Sequence, residues 1–405
     1  MRKLFENIGL LTIVKGLDFL IPLIVLPIVI SRIGLELFGE YSVLLSFFTF
    51  FISFGKFGFN TDAIKDISLN KNNKNKVHEI LSEVFSYKII FSFLAISLFL
   101  VIVNVKYEGY FLISLIFSLG IFFEVFSLSF YFLAIQKLRF VSFVQISTKL
   151  VFGILIVLFV ENEKDLLLYV TFTVAAYILN SIIIFYLSKK FEFNYKLLTI
   201  MYKKETLSSS FNIYSYTFLN NLINPITTYF ISVNYGNSIT GIFALSQKTY
   251  SVFYSAIEPA MNAVYPYLSE QRKAMNNFIS LVKKFFIAFL LVSLLAYTVM
   301  YFASPYIQMY LLKRVFVGEE LIMYYLICLM IFPSVLNLVS TRVLIIEGRQ
   351  KEILKILGIN FCVILFGYAV VYFFHLEVFY VAIFLAGASV LAMISLTRKM
   401  FTIKE

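Results

Sequence analysis

The chain has 405 residues, 60% hydrophobic and 14% charged, with 34 Lys and Arg against 23 Asp and Glu, a formal charge of +11 and a mean hydropathy of +0.89. Charged residues make up about 25% of soluble domains, so this is the composition of an integral membrane protein, and at roughly 20 residues per spanning helix little chain is left for a water-soluble catalytic domain. The hydrophobicity excludes disorder; two cysteines, Cys328 and Cys362, both in apolar runs, exclude a disulfide scaffold; and continuous apolar stretches such as Ile89 to Val105 exclude a transmembrane barrel, whose segments alternate over about ten residues.

Twelve apolar runs separated by polar breaks predict an all-α protein of about twelve membrane helices. The first covers 10–31. Arg2 and Lys3 precede it as in a signal peptide, but its length, Pro22 and Pro27 and the lack of a small-residue cleavage site predict a retained span. Within it Lys15 and Asp18 are three residues apart and Pro22 four beyond, so all three share a helix face. The second run, 41–60, carries Lys56, the third is 85–105, and the fourth, 110–134, carries Glu124. The fifth, 140–160, holds Lys149 about ten residues from either end, with Gln145 on the same face, and the sixth is 166–188. The seventh, 209–232, carries Asn212, Asn220, Asn221, Asn224 and Pro225, and a proline there frees a carbonyl that needs a partner or water. Lys248, Glu258, Pro259 and Pro266 fall in the eighth, 242–266; the ninth is 285–303; Pro333 and Arg342 fall in the tenth, 320–345; the last two are 352–374 and 378–396.

The connections alternate in charge. The N-terminus, 61–84, 135–139, 189–208, 267–284, 346–351 with Lys355, and the C-terminus carry 23 of the 34 Lys and Arg, whereas the intervening connections carry five: Arg32, Lys106, Lys164, Lys313 and Arg314. Cationic excess marks cytoplasmic loops, so both termini are expected in the cytoplasm. The +11 charge is thereby explained by topology and membrane lipids. Its dispersal over seven segments argues against a nucleic-acid partner.

An internal repeat is visible. Gly34-Leu35-Glu36-Leu37-Phe38-Gly39-Glu40-Tyr41 follows the first run, and Gly236-Asn237-Ser238-Ile239-Thr240-Gly241-Ile242-Phe243 follows the seventh, at an offset of 202. Two six-helix lobes, 1–205 and 206–405, are expected; six spans per half is even, so the halves insert in the same orientation as a parallel repeat, a transporter architecture.

Charges within spans are costly, about 2.5 to 3.5 kcal/mol each at a helix centre, so Lys15, Asp18, Lys56, Glu124, Lys149, Lys248, Glu258 and Arg342 should face an interior rather than lipid. The structural alternative is that pairs such as Lys15 with Asp18, or Lys149 with Glu124, only join helices. Cations exceed carboxylates in this set, which points to a positive cavity and an anionic ligand. Enzyme signatures are scarce: His78 and His375 are the only histidines, too few for a His-based metal cluster or charge relay, and no phosphate-binding glycine loop occurs.

Pro22, Pro27, the Ser31-Arg32-Ile33-Gly34 turn, Leu37-Phe38-Gly39-Glu40-Tyr41 and Phe54-Gly55-Lys56-Phe57-Gly58-Phe59 resemble the N-terminal signature of polysaccharide flippases of the multidrug/oligosaccharidyl-lipid/polysaccharide (MOP) exporter superfamily, of the O-antigen or capsule repeat-unit, Wzx-like type. The resemblance implies two six-helix lobes that alternate in access in a bacterial cytoplasmic membrane and carry an undecaprenyl-diphosphate-linked oligosaccharide to the outer leaflet, alongside other polysaccharide-assembly proteins. It implies no cofactor beyond a coupling cation, Na+ or H+. No strict motif carries residue roles across, so the depth of the charges sets the candidates: Lys15, Lys149 and Lys248 as diphosphate partners, Asn220 and Asn224 on the cavity wall, and Asp18, Glu124 and Glu258 for charge balance or cation coupling. A drug exporter of the same superfamily and a polytopic polysaccharide polymerase are the competing readings; exporter substrates are often cationic, and polymerases of that class carry a long outer loop, whereas the longest here is about 16 residues, 304–319.

Overall fold

The computed structural model describes residues 21–107, 109–191, 200–273 and 278–402, and among these residues every long element is an α-helix. In chain order they are α1 (Ile21–Ile33), α2 (Leu35–Lys56), α3 (Phe59–Asn70), α4 (Lys74–Lys106), α5 (Phe111–Val125), α6 (Ser129–Ala134), α7 (Leu138–Phe159), α8 (Leu166–Ser188), α9 (Lys204–Tyr235), α10 (Asn237–Lys273), α11 (Phe278–Leu312), α12 (Gly318–Leu329), α13 (Ile331–Ile346), α14 (Gln350–Phe373) and α15 (Phe379–Phe401). Each of the twelve runs, where it is described, becomes one helix or a broken pair: the fourth is α5 and α6, the tenth α12 and α13. Nine segments among the described residues are long and apolar enough to cross a membrane, the broken pairs counting as one each. At 32 and 37 residues α9 and α10 are long enough, but their asparagines and charges keep them out of that set.

Several helices outrun their apolar segments, α11 extending from 278 to 312 around a run of 285–303. Helical hydrogen bonds continue past the apolar boundary because backbone pairing does not depend on the side chains being apolar. The element that periodicity of apolar runs does not reveal is α3, which buries one stripe, Phe59, Ala63 and Ile67, at spacing four. It is set off from α2 by Phe57 and Gly58, both in left-handed backbone (φ 39° and 78°).

Packing divides the chain into two compact units. Among the described residues, the first contains Arg32–Gly34 and Tyr41–Pro225; the second contains Ile21–Ser31, Leu35–Glu40 and those from Ile226 onward. The packing boundary thus falls at Pro225, inside α9. The division at 205/206 concerns instead the equivalence of the two sequence halves.

In the first unit α8 packs on α5 and α7, and α4 on α5 and α3. Its core is aromatic: Phe48 and Phe117 are fully buried with ring centroids 5.0 Å apart, and Phe59 stacks on Tyr87 at 5.2 Å. In a bilayer such close packing, rather than escape from water, holds helices together. In the second unit α15 packs on α12, α13 and α14, and the Thr227 and Tyr368 hydroxyls share a buried hydrogen bond of 2.5 Å while Phe230 stacks on the same tyrosine.

The two copies of the repeat take the same backbone form. Gly34 and Gly236, each immediately before a long helix, have φ of 84° and 87°, a region closed to most L side chains. The copies also touch, within the second unit. A methyl group on Gly39 would lie 1.8 Å from the Asn237 carbonyl oxygen, and one on Gly241 would lie 2.8 Å from the Leu35 carbonyl oxygen. The contact is reciprocal: 35 corresponds to 237 and 39 to 241, both by the offset of 202.

Candidate functional site

The first unit holds a charged cluster assembled from four helices. Lys56 is the last residue of α2 and Glu124 the penultimate residue of α5. The Lys56 ammonium donates to Glu124 Oε1 at 2.8 Å, and the Ser181 hydroxyl of α8 donates to Oε2 at 3.2 Å. Their side chains retain 26% and 16% exposure, so the pair is half-buried. Lys88, midway along α4, is fully enclosed at 0% exposure; its Nζ has no hydrogen-bond partner and lies 4.4 Å from the centre of the Phe130 ring. The charges that act on it are those of Lys56 and Glu124. Two cations therefore face one carboxylate.

The structure places the sequence candidates unevenly. Lys15 and Asp18 lie outside the described residues. Lys149 is half-buried in the middle of α7. The carboxylate offered to it as a possible structural partner, Glu124, is bonded instead to Lys56 and Ser181. Asn220 is exposed and Asn224 half-buried on α9, and Asn221 between them donates to the Ser53 hydroxyl at 2.6 Å. In the second unit Lys248 and Glu258 are half-buried on α10; Glu258 and Arg342 of α13 both act on the hydroxyl of Tyr254, and Arg342 stacks 5.5 Å from the Tyr265 ring centre. Lys88 is absent from the set that the sequence singles out. A signal for it exists there nonetheless: the loops account for 28 of the 34 cations, and Lys88 is one of the six that remain inside runs.

Cross-chain contacts sort the connections by face, within each unit. Lys203 pairs with Glu79 and Glu83, the Tyr87 hydroxyl donates to the Lys203 carbonyl, and the Met201 amide donates to the Ser86 hydroxyl. The hydrogen bonds to the two glutamates hold the Lys203 ammonium above the usual lysine range. The start of α9 is thus tied to the foot of α4, and both belong to connections rich in cations. Arg32 donates to the carbonyls of Val157 and Val160 at the end of α7, joining two cation-poor connections. In the second unit Arg272 pairs with Glu347, and Tyr235 donates to the Leu376 carbonyl. Each contact joins connections assigned to one face by charge. Among the described residues no cluster of His, Cys, Asp and Glu capable of holding a metal ion occurs.

A polytopic helical chain of two packed units, with Lys56 and Glu124 paired inside its spans, is the build of an integral membrane protein. The chain belongs to the polysaccharide biosynthesis protein family, whose pattern matches residues 4–272. An 88-residue stretch is 31% identical to a protein of Escherichia coli (strain K12) named "Putative O-antigen transporter"; it covers 22% of this chain and 21% of that protein, so the match spans about a fifth of its length. Three solved structures share the fold: an inward-facing multidrug resistance MATE family transporter of the MOP superfamily (TM-score 0.72, 12% identity, 96% of this chain and 95% of that one), an outward-facing multidrug resistance MATE family transporter of the same superfamily (0.65, 12%, 98% and 96%), and a mutant of the Vibrio cholerae MATE transporter VcmN (0.66, 14%, 100% and 98%). The expected all-α, two-lobed membrane fold holds, and so does the expected kinship with polysaccharide-biosynthesis membrane proteins.

Proposed function

We propose that the protein carries an undecaprenyl-diphosphate-linked oligosaccharide, the repeat unit of an O-antigen or capsule, from the cytoplasmic to the outer leaflet of the bacterial cytoplasmic membrane by alternating access of two lobes, 1–205 and 206–405. The observation that supports this reading most is the surplus of lysines over carboxylates in the spans of the first unit, where Glu124 is already bonded to Lys56 while Lys149 lies in the middle of α7. A diphosphate and a glycan cannot cross hydrocarbon unaided, while a polyprenyl tail is at home there. A cationic interior open to lipid meets both needs. Lys15, Lys149 and Lys248, with Asn220 and Asn224, are assigned to the diphosphate and first sugar; Asp18, Glu124 and Glu258 are assigned to charge balance or the binding of a coupling cation.

The test has two levels. Cells lacking the chain should lose surface glycan and accumulate the lipid-linked unit on the inner leaflet; retained glycan with raised sensitivity to cationic drugs would give the exporter reading, which the likeness to multidrug transporters favours. For the site, Lys149→Ala and Lys149→Gln should abolish surface glycan with normal protein abundance, while Lys149→Arg keeps part of it because charge is retained and geometry changed. Wild-type glycan in Lys149→Ala would remove Lys149 from the site.

A further inference from the structure

The amine of Lys88 has no part in that reading. It is the fifteenth residue of the 33-residue α4, it is wholly enclosed, and none of its N–H groups meets an acceptor. An ammonium brings three donors and is heavily penalised when buried without a counter-charge. Glu124, the carboxylate that acts on it, already has one oxygen engaged by Lys56 and the other by Ser181. The remaining surroundings of Nζ are the rings of Phe130, at 4.4 Å, and Phe85, at 5.9 Å.

We propose that Lys88, Lys56 and Glu124 form a proton-binding site within the first unit, with Lys88 Nζ the atom that takes up and gives back the proton. In the arrangement seen, one cation and one carboxylate balance, and the amine beside Phe130 fits without a charge. Adding a proton makes two ammonium groups compete for one carboxylate. Glu124 must then turn toward Lys88 or be shared, and the tie between α2 and α5 loosens. Access runs through the pair itself: Lys56 and Glu124 keep 26% and 16% exposure, whereas Lys88 keeps none, so hydronium protonates the carboxylate and leaves water, and the carboxyl turns to Lys88 and passes the proton on. The O–H bond breaks as the N–H bond forms, and the carboxylate is restored. The charged groups that face Lys88 are Lys56 from α2 and Glu124 from α5; α6 presents Phe130 and α4 itself Phe85. This gives the transporter a proton-sensitive tie between helices, and it rests on the transporter reading for its use but not for its existence.

Unfolding of the purified full chain should therefore be followed from pH 5 to 9 for wild type and Lys88→Met. Above the pH at which folded Lys88 takes up its proton, the wild-type unfolding constant, relative to that of the variant, falls about tenfold for each unit by which pH rises, and below it the ratio levels off. The sign follows: Lys88→Met leads in stability most at acid pH, and its lead shrinks as pH rises. An equal lead at every pH means Lys88 keeps one protonation state and overturns the proposal. Should Lys88→Met not accumulate, Lys88→Gln gives the same comparison. In cells, Lys88→Arg, charged at every pH, should insert normally yet lose surface glycan, as wild type does under a protonophore; wild-type glycan in Lys88→Arg overturns the coupling role. If deletion of the chain leaves glycan unchanged, the flippase reading fails while the stability comparison still decides the proton site.

Discussion

Glu124 accepts from two helices at once, so removing Lys56 does more than delete one contact: it leaves a half-buried carboxylate with Ser181 as its remaining hydrogen-bond donor and the enclosed amine of Lys88 nearby. Breaking a buried pair from one side costs roughly 3 to 5 kcal/mol, and residual exposure reduces that to about 1 to 3 kcal/mol here. Lys56→Met should accordingly lower the midpoint of thermal unfolding, and Lys56→Met with Glu124→Gln should recover most of the loss; a double variant no more stable than the single would show that the pair contributes nothing. The sequence locates both residues inside spans and cannot pair them, because the partner of a charge is chosen by packing. Lys149 with Glu124 and Lys56 with Glu124 are equally acceptable until α2, α5 and α8 are placed. Arg32 is a second case. Its sequence context reads as an outer loop cation, yet its guanidinium serves the last carbonyls of α7, and a carbonyl acceptor leaves no mark in a sequence.

Helices are legible wherever apolar content alone specifies them, and α7, α8, α14 and α15 lie within a few residues of the runs that announce them. What eludes the sequence are the breaks and the short amphipathic piece: α5 gives way to α6 at Phe126, Ser127 and Leu128, none of them a strong breaker, and α3 buries only every fourth residue. The crossing of α2 on α10 is the opposite case, since its repeated glycines stand out in the sequence itself. It also allows a clean comparison. In Gly39→Ala the new methyl meets a backbone carbonyl that cannot move without its helix, so folded protein recovered from membranes should fall several-fold. Gly109→Ala sits in a turn with a positive φ of 87°, unlike helical Gly39, but its methyl points into open space, and it should cost only about 1 kcal/mol of backbone strain. Equal recovery of both would mean that the helices can part there freely.

Across the molecule, sidedness is the most legible property, since it is written in composition. The ties of Lys203 to Glu79 and Glu83, and of Arg272 to Glu347, join connections that the cation count assigns to one face, and the Arg32 and Tyr235 contacts join connections assigned to the other. We expect the cation-rich face to be cytoplasmic. A cysteine at Lys74 or Lys196 should react with a membrane-impermeant thiol reagent only after the cells are permeabilised, in a background lacking Cys328 and Cys362. Labelling in intact cells would invert the topology. Less legible is where packing divides the chain. Sequence symmetry places the divide near its middle, whereas the contacts place it at Pro225, because α9 runs unbroken from 204 to 235 through the point where the halves join.

The seam formed by Leu35, Gly39, Asn237 and Gly241 has the form of an isologous interface, in which position i of one copy meets position j of the other and the converse also holds. Two identical subunits meet this way about a twofold axis, so a single chain that keeps the pattern has the anatomy of a fused dimer. Such a seam restricts divergence: at 39 and at 241 the obstacle includes the other copy's backbone carbonyl, which no exchange of side chains removes, so both positions are bound to stay glycine. Nothing comparable binds the charged interiors. At the offset of 202, Lys56 corresponds to Glu258, of opposite charge, while Lys88, Glu124 and Arg342 correspond to Leu290, Leu326 and Phe140, of none. Each copy, relieved of the need to match its twin, has been free to take on a different electrostatic task.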